Sequence, residues 1–138
     1  MATRYVDCDA TGAGDGTSWA NAWTSFTAMS GLAAGDTVYI SGGPAGETKT
    51  YTLAAAWKPK SGAAGNPITY QIGQDSAHNG TIVIYRPAGG SFIDSQVVYN
   101  GALHDVRISG DAGDGQRHIR LSGCTHLCLD VPSGLAQT

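Results

Sequence analysis

The chain has 138 residues, enough for one ordinary domain, and its 41% hydrophobic against 14% charged residues sets it apart from disordered polyampholytes. Its net charge is −3, with four of its eight Lys and Arg before position 61 and four after, so neither half is a basic arm and no nucleic-acid partner is predicted. No run approaches the ~18 consecutive apolar residues of a membrane span.

Twenty glycines and a single glutamate, Glu47, argue against a helix-rich protein, because exposed helical faces usually recruit Glu and Lys. The three cysteines, Cys8, Cys124 and Cys128, are too few and too odd in number for a disulfide framework. The opening Met-Ala-Thr-Arg-Tyr-Val lacks a basic segment followed by an apolar core, so no secretory signal is encoded. Either such a signal has been removed or export does not use that route.

In chain order, residues 4–8 read as a short strand, followed by the turn-rich loop Asp9–Gly16. Thr17 or Ser18 can cap a helix in which Trp19, Ala22, Trp23, Phe26 and Met29 recur at helical spacing, ending at Gly31 and Gly35. So short a helix must bury its aromatic stripe. From Asp36 onward the pattern is one of strands: 37–41, 50–53, 67–72, 81–85, 96–99, 105–109, 118–122 and 126–130, each bounded by turn residues. The first inward candidates, Ile82 to Val106, Val97 to Ile119 and Val106 to Leu127, are 24, 22 and 21 residues apart. A near-constant step predicts stacked structural repeats, with two or three strands in each coil.

Arg4-Tyr-Val-Asp7, the Gly14–Trp23 run, Ala34-Gly-Asp-Thr-Val-Tyr-Ile40 and Lys60-Ser-Gly-Ala-Ala-Gly-Asn-Pro-Ile-Thr-Tyr70 resemble the N-terminal cap and first coils of right-handed parallel β-helix, pectate-lyase-like proteins. The resemblance spans roughly residues 4–131 and is specific for fold rather than activity. It implies an all-β, right-handed parallel β-helix with a short N-terminal capping helix. The single domain would cover residues 1–138, with strand, loop and capping helix over 1–35 and about four coils over 36–138. Such proteins are usually longer. A fragment is therefore expected, or a short form whose exposed C-terminal coil is closed by a second copy, giving a homo-oligomer. An extracellular or virion-associated location is implied by the resemblance alone.

Stacking at the low-twenties step places Val83 and Tyr85, Asp105 and Arg107, then His126 and Cys128 on one outward face, with His118 and Arg120 on another. The resemblance to polysaccharide lyases makes Asp105, Arg107 and His126 the catalytic candidates: Arg107 as base or carboxylate clamp, Asp105 as metal ligand or orienting group. Tyr85, His118 and Arg120 are the corresponding substrate-binding candidates. The alternative is a solvated face with weak ion pairs. Hydrolysis needs two flanking carboxylates. Asp111 and Asp114 are the nearest pair, in a turn where Asp commonly bonds its own backbone.

Asp7, Asp9 and Asp15 offer hard oxygens for Ca²⁺, or else make turn bonds and favour the following helix N-terminus. Cys124, His126 and Cys128 alternate on a strand and could touch one Zn²⁺, with no evident fourth ligand. Tyr39, Tyr51, Tyr70, Tyr85 and Tyr99 are either a sugar-stacking track or half-buried packing residues. Two functions remain open: carbohydrate engagement, as a binding module or polysaccharide-lyase-like segment, and a structural role of phage-tail or surface-repeat type that self-associates through the C-terminal coil. No intact catalytic signature is present, so the chain by itself is not predicted to be an enzyme.

Overall fold

The computed structural model describes residues 1–87 and 105–123. Seven short strands, β1 (Thr3–Val6), β2 (Thr37–Ile40), β3 (Thr48–Thr52), β4 (Ile68–Ile72), β5 (Thr81–Tyr85), β6 (Val106–Ser109) and β7 (Ile119–Ser122), form two parallel sheets. The first has the order β1-β2-β4-β6 and the second β3-β5-β7, which makes a parallel β-solenoid of about three turns. No helix of the described residues is long and apolar enough to cross a membrane.

Alternation dictates what each strand buries. In the first sheet Val6, Ile40 and Ile72 stand in register and face inward, as do Val38 and Tyr70. In the second, Tyr51, Ile84 and Leu121 form the matching inward row, with Ile82 beside Ile119. Trp57 closes the space between them, meeting Phe26 and Tyr70 edge-on at ring centroid distances of 5.1 and 4.7 Å. Each fully buried isoleucine in these stacks stabilises the coil by about 1.5–3 kcal/mol.

Two expectations are corrected. The repeat is not in the low twenties: Thr3 lies beside Thr37, Thr37 beside Thr69 and Ile68 beside Val106, separations of 34, 32 and 38 residues. Ile82 stacks on Ile119, not on Val106, which belongs to the other sheet. The shorter step counted jumps between sheets as if they were coils.

The second correction concerns the capping helix, since residues 17–35 contain only one 3-10 turn, Phe26–Ala28. Polar side chains there bond the backbone locally and displace helical bonds: Asp15 accepts from the Thr17 N–H, Ser18 from the Asn21 N–H, and Asn21 from the Ala13 N–H. Trp23 instead runs alongside β1. Its N–H donates to the Tyr5 carbonyl, its carbonyl accepts from Asp7, and Gly16 accepts from Tyr5. The outer edge of β1 is thereby paired, and Trp23 and Phe26 enter the core with Met29 and Leu32 packed against it. An irregular segment thus covers this end of the solenoid.

The expected strands at 96–99 and 126–130, and the C-terminal coil expected to self-associate, lie outside the described residues.

Candidate functional site

The outward rows of the first sheet carry the most distinctive surface. Tyr5, Tyr39, Gln71 and Ser109 are in register along β1, β2, β4 and β6, with Thr3, Thr37, Thr69 and Arg107 forming the neighbouring row. Tyr5 and Tyr39 both face outward and remain half-buried, their ring centroids 6.1 Å apart. The loop after β1 folds Trp19 onto Tyr5, at a centroid distance of 4.7 Å. The turn after β4 brings Gln74 and Asp75 to the same corner. Tyr5, Trp19, Tyr39, Gln74 and Asp75 together line an open cleft of about 340 Å³, within the size range of small-ligand sites.

Asp75 organises this cleft. Its Oδ2 accepts the Trp19 indole N–H at 3.0 Å, and its Oδ1 accepts the Ala77 N–H at 3.1 Å and lies 2.6 Å from His78 Nδ1. Partial burial pushes the carboxyl pKa up, but these hydrogen bonds and the charge of His78 outweigh it, holding Asp75 below the ordinary carboxylate range. The His78 ring lies flat on Trp19. Trp19 is therefore a wall fixed on one side by Tyr5 and on the other by His78. Beyond it is a second open cleft of about 460 Å³, where Trp19 and His78 face Asp7, Asp9 and Asn21. The Gln74 amide is spent on the Ile72 and Asp111 carbonyls, fixing the turn after β4 to the loop after β6. Among the described residues the hydroxyls of Tyr5 and Tyr39 have no protein partner and remain open to a ligand.

Of the three predicted Ca²⁺ ligands, Asp7 and Asp9 come together and Asp15 does not. Asp7, Cys8 and Asp9 gather, but Lys49 Nζ lies 2.5 Å from Asp7 and 3.0 Å from Asp9. Lys49 follows the inward row of β3, where Ile82 is its neighbour. Burial alone would lower its pKa, yet its bonds to the two carboxylates raise it above the usual lysine value. An ammonium already occupies the position between the carboxylates, and two carboxylates with a thiol are a poor match for the six to eight oxygens that Ca²⁺ takes. Asp15 turns elsewhere, accepting from the N–H and hydroxyl of Thr17.

The predicted catalytic and substrate faces are likewise redistributed. Arg107 lies on β6 of the first sheet beside Thr69, whereas Tyr85 and Arg120 lie on β5 and β7 of the second, Arg120 beside Val83. Asp105 is a turn residue at φ 53°, a left-handed conformation that Asp tolerates, and its carbonyl accepts the Ile68 N–H at the start of β4. His118 is buried rather than outward, with Nε2 3.0 Å from both Asp114 oxygens. Asp111 and Asp114 accept backbone N–H groups of Gly113 and Gln116, as turn aspartates do. His126, Cys124, Cys128 and Tyr99 lie outside the described residues. Of the other predicted track tyrosines, Tyr51 and Tyr70 are core residues, Tyr85 is exposed, and Tyr39 alone lines the cleft.

Tyr5, Trp19, Asp75 and His78 escaped the sequence reading. One signal was available: Thr3-Arg-Tyr-Val6, Thr37-Val-Tyr-Ile40 and Thr69-Tyr-Gln-Ile72 share a pattern at the true coil step, which puts Tyr5, Tyr39 and Gln71 in one row.

Comparison with protein-family models, with curated proteins and with solved structures found no match to this chain.

Proposed function

We propose that this solenoid is a carbohydrate-binding module whose ligand lies in the cleft of Tyr5, Trp19 and Tyr39. The observation that carries the reading is the aromatic corner itself: outward rings on a rigid sheet beside a carboxylate and unspent hydroxyls. Sugar rings offer apolar C–H faces and a belt of hydroxyls, so a site for them needs aromatic surface next to fixed polar groups. Asp75 serves as a positioning residue, since both of its oxygens already hold Trp19, Ala77 and His78 in place.

Binding is favoured over a lyase reaction because Asp105 is engaged in a turn and Arg107 lies two strands from Tyr39. The pectate-lyase-like resemblance is compatible with this reading. We also infer right-handed winding, the sense taken by about 98% of parallel crossover connections.

Affinity electrophoresis and calorimetry against a panel of plant, algal and bacterial polysaccharides test the function. Retardation of the native protein by at least one glycan, lost in Tyr39→Ala with folding intact, is the expected result. Native protein that no polysaccharide retards, or equal retardation of Tyr39→Ala, would overturn it.

A further inference from the structure

Resting on the carbohydrate reading, we infer that the glycan recognised at the Trp19 corner is uncharged, and that uronates and other acidic glycans are rejected. The charged groups decide this. Asp75 lines the first cleft, and Asp7 and Asp9 line the second. Among the described residues no lysine or arginine lines either cleft, and His78, which lines the second, is held against Asp75 at 2.6 Å. Lys49 is close to the second cleft, but its ammonium is held between Asp7 and Asp9 and balances only one of those two charges. On the first sheet, Arg107 is in register with Thr69 and not with Tyr39 or Gln71, so it stands in the other outward row.

A carboxylated sugar seated on Tyr5 and Tyr39 would bring its negative charge towards Asp75, which stays ionised because His78, Trp19 and Ala77 hold its pKa down. Recognition of an acidic sugar uses the opposite arrangement, a fixed guanidinium or ammonium facing the carboxylate. A neutral sugar meets no such penalty. Both Asp75 oxygens are already engaged by Trp19, Ala77 and His78, so polar contacts to a sugar fall to the tyrosines. The Tyr5 and Tyr39 hydroxyls can donate to ring or hydroxyl oxygens. Charge exclusion and hydroxyl pairing therefore select for the same class of ligand.

The test is calorimetric titration of the full chain at pH 8 and low salt with three sets of hexasaccharides. These are neutral (gluco-, xylo- and manno-configured), anionic (hexagalacturonate and a mannuronate hexamer) and cationic (an N,N,N-trimethylated chitosan hexamer, whose charge does not depend on pH), each repeated with Tyr39→Ala. The expected result is binding of at least one neutral hexamer, at least tenfold tighter than either anionic hexamer, and lost in Tyr39→Ala. An anionic hexamer that binds as well as the neutral ones and is lost in Tyr39→Ala would overturn the charge inference and leave the carbohydrate site standing. A cationic hexamer preferred tenfold over the neutral ones would overturn it in the other direction. Absence of binding by every set would overturn both readings together.

Discussion

Trp19 lies flat against His78, with ring centroids 3.8 Å apart and planes within 9°, and a single carboxylate, Asp75, is bonded to both rings. The loop after β1 is thus fastened to the turn after β4, and the aromatic wall of the cleft is set by one residue that is itself half-exposed.

Asp75→Ala should therefore loosen Trp19 without disturbing the core. Hydrogen bonds to a charged group are worth about 1.5–3 kcal/mol, and solvent exposure of Asp75 reduces the expected loss to roughly 1 kcal/mol. Trp23 and Trp57 are buried, so a red shift of tryptophan emission would report on Trp19. Urea denaturation and emission spectra check this together. An unchanged emission maximum would mean that Asp75 does not hold the indole.

The corner between the sheets imposes a second, sharper constraint. Gly42 and Gly80 come from successive coils and pass backbone against backbone, with Gly80 N–H donating to the Gly43 carbonyl and Gly42 N–H to that of His78. A Cβ on Gly42 would lie 2.2 Å from the Gly80 carbonyl carbon and oxygen. Backbone atoms cannot step aside as a side-chain tip can, so Gly42→Ala should exceed the ~1–3 kcal/mol of ordinary overpacking. Gly46→Ala is the contrast: its φ of +89° strains a side chain, but no atom lies within 4 Å of the added methyl. The expected cost there is about 1–2 kcal/mol. Thermal denaturation of the two variants should separate clash from conformation, and equal melting temperatures would contradict the close approach.

Lys49 supplies a third test, because it holds an inward strand position that aliphatic residues take in the later coils. Its neighbours in register are Ile82 and Ile119, and its ammonium reaches Asp7, which is largely buried. Lys49→Met keeps much of the packing volume but leaves the Asp7 carboxylate without its cation, a change that costs about 3–5 kcal/mol for a buried pair. Asp9 is exposed and still solvated, so the lower end of that range is expected. Adding Asp7→Asn to Lys49→Met should recover part of the loss. A double variant no more stable than Lys49→Met would show that the lysine acts through its packing alone.

The architecture was legible in the sequence because strands of about five residues, bounded by turn residues, leave a local signature. All seven strands among the described residues fall within two residues of their predicted bounds, whereas the parallel stacking is implied by the family resemblance and not by the low-twenties step, which joins strands of different sheets. The coil length was not legible, since alternating strands look alike whichever sheet they join, and only the shared Thr-x-Tyr/Gln-aliphatic pattern of β1, β2 and β4 separates the sheets. The helix reading failed at residues 17–29 for a related reason. Trp19, Trp23 and Phe26 fit a helical period, yet Trp19 belongs to the outer face while Trp23 and Phe26 enter the core. The candidate site was the least legible, because Asp75 and His78 acquire meaning only when a turn brings them to Trp19.

Acid should weaken the N-terminal end of the solenoid first. Asp36 is buried at the turn before β2, where its two oxygens accept the N–H of Ala2 at 2.6 Å and of Ala33 at 2.8 Å. Burial raises its pKa, but these bonds, together with the N-terminal amine and Arg4, bring it below the ordinary carboxylate value. A carboxyl group whose pKa is depressed by folding stabilises the fold above its unfolded value of about 3.9, and that contribution disappears as pH falls through the folded pKa. Asp75 has the same sign. The melting temperature should therefore be level with respect to these two groups from neutral pH to about pH 5, then decline increasingly below about pH 4. Asp36→Asn should be less stable at pH 7 and show a shallower acid limb, because the neutral amide has no proton to gain. Melting curves of both proteins between pH 3 and pH 7 measure the difference. Parallel curves would show that Asp36 ionisation makes no contribution to the stability of this end.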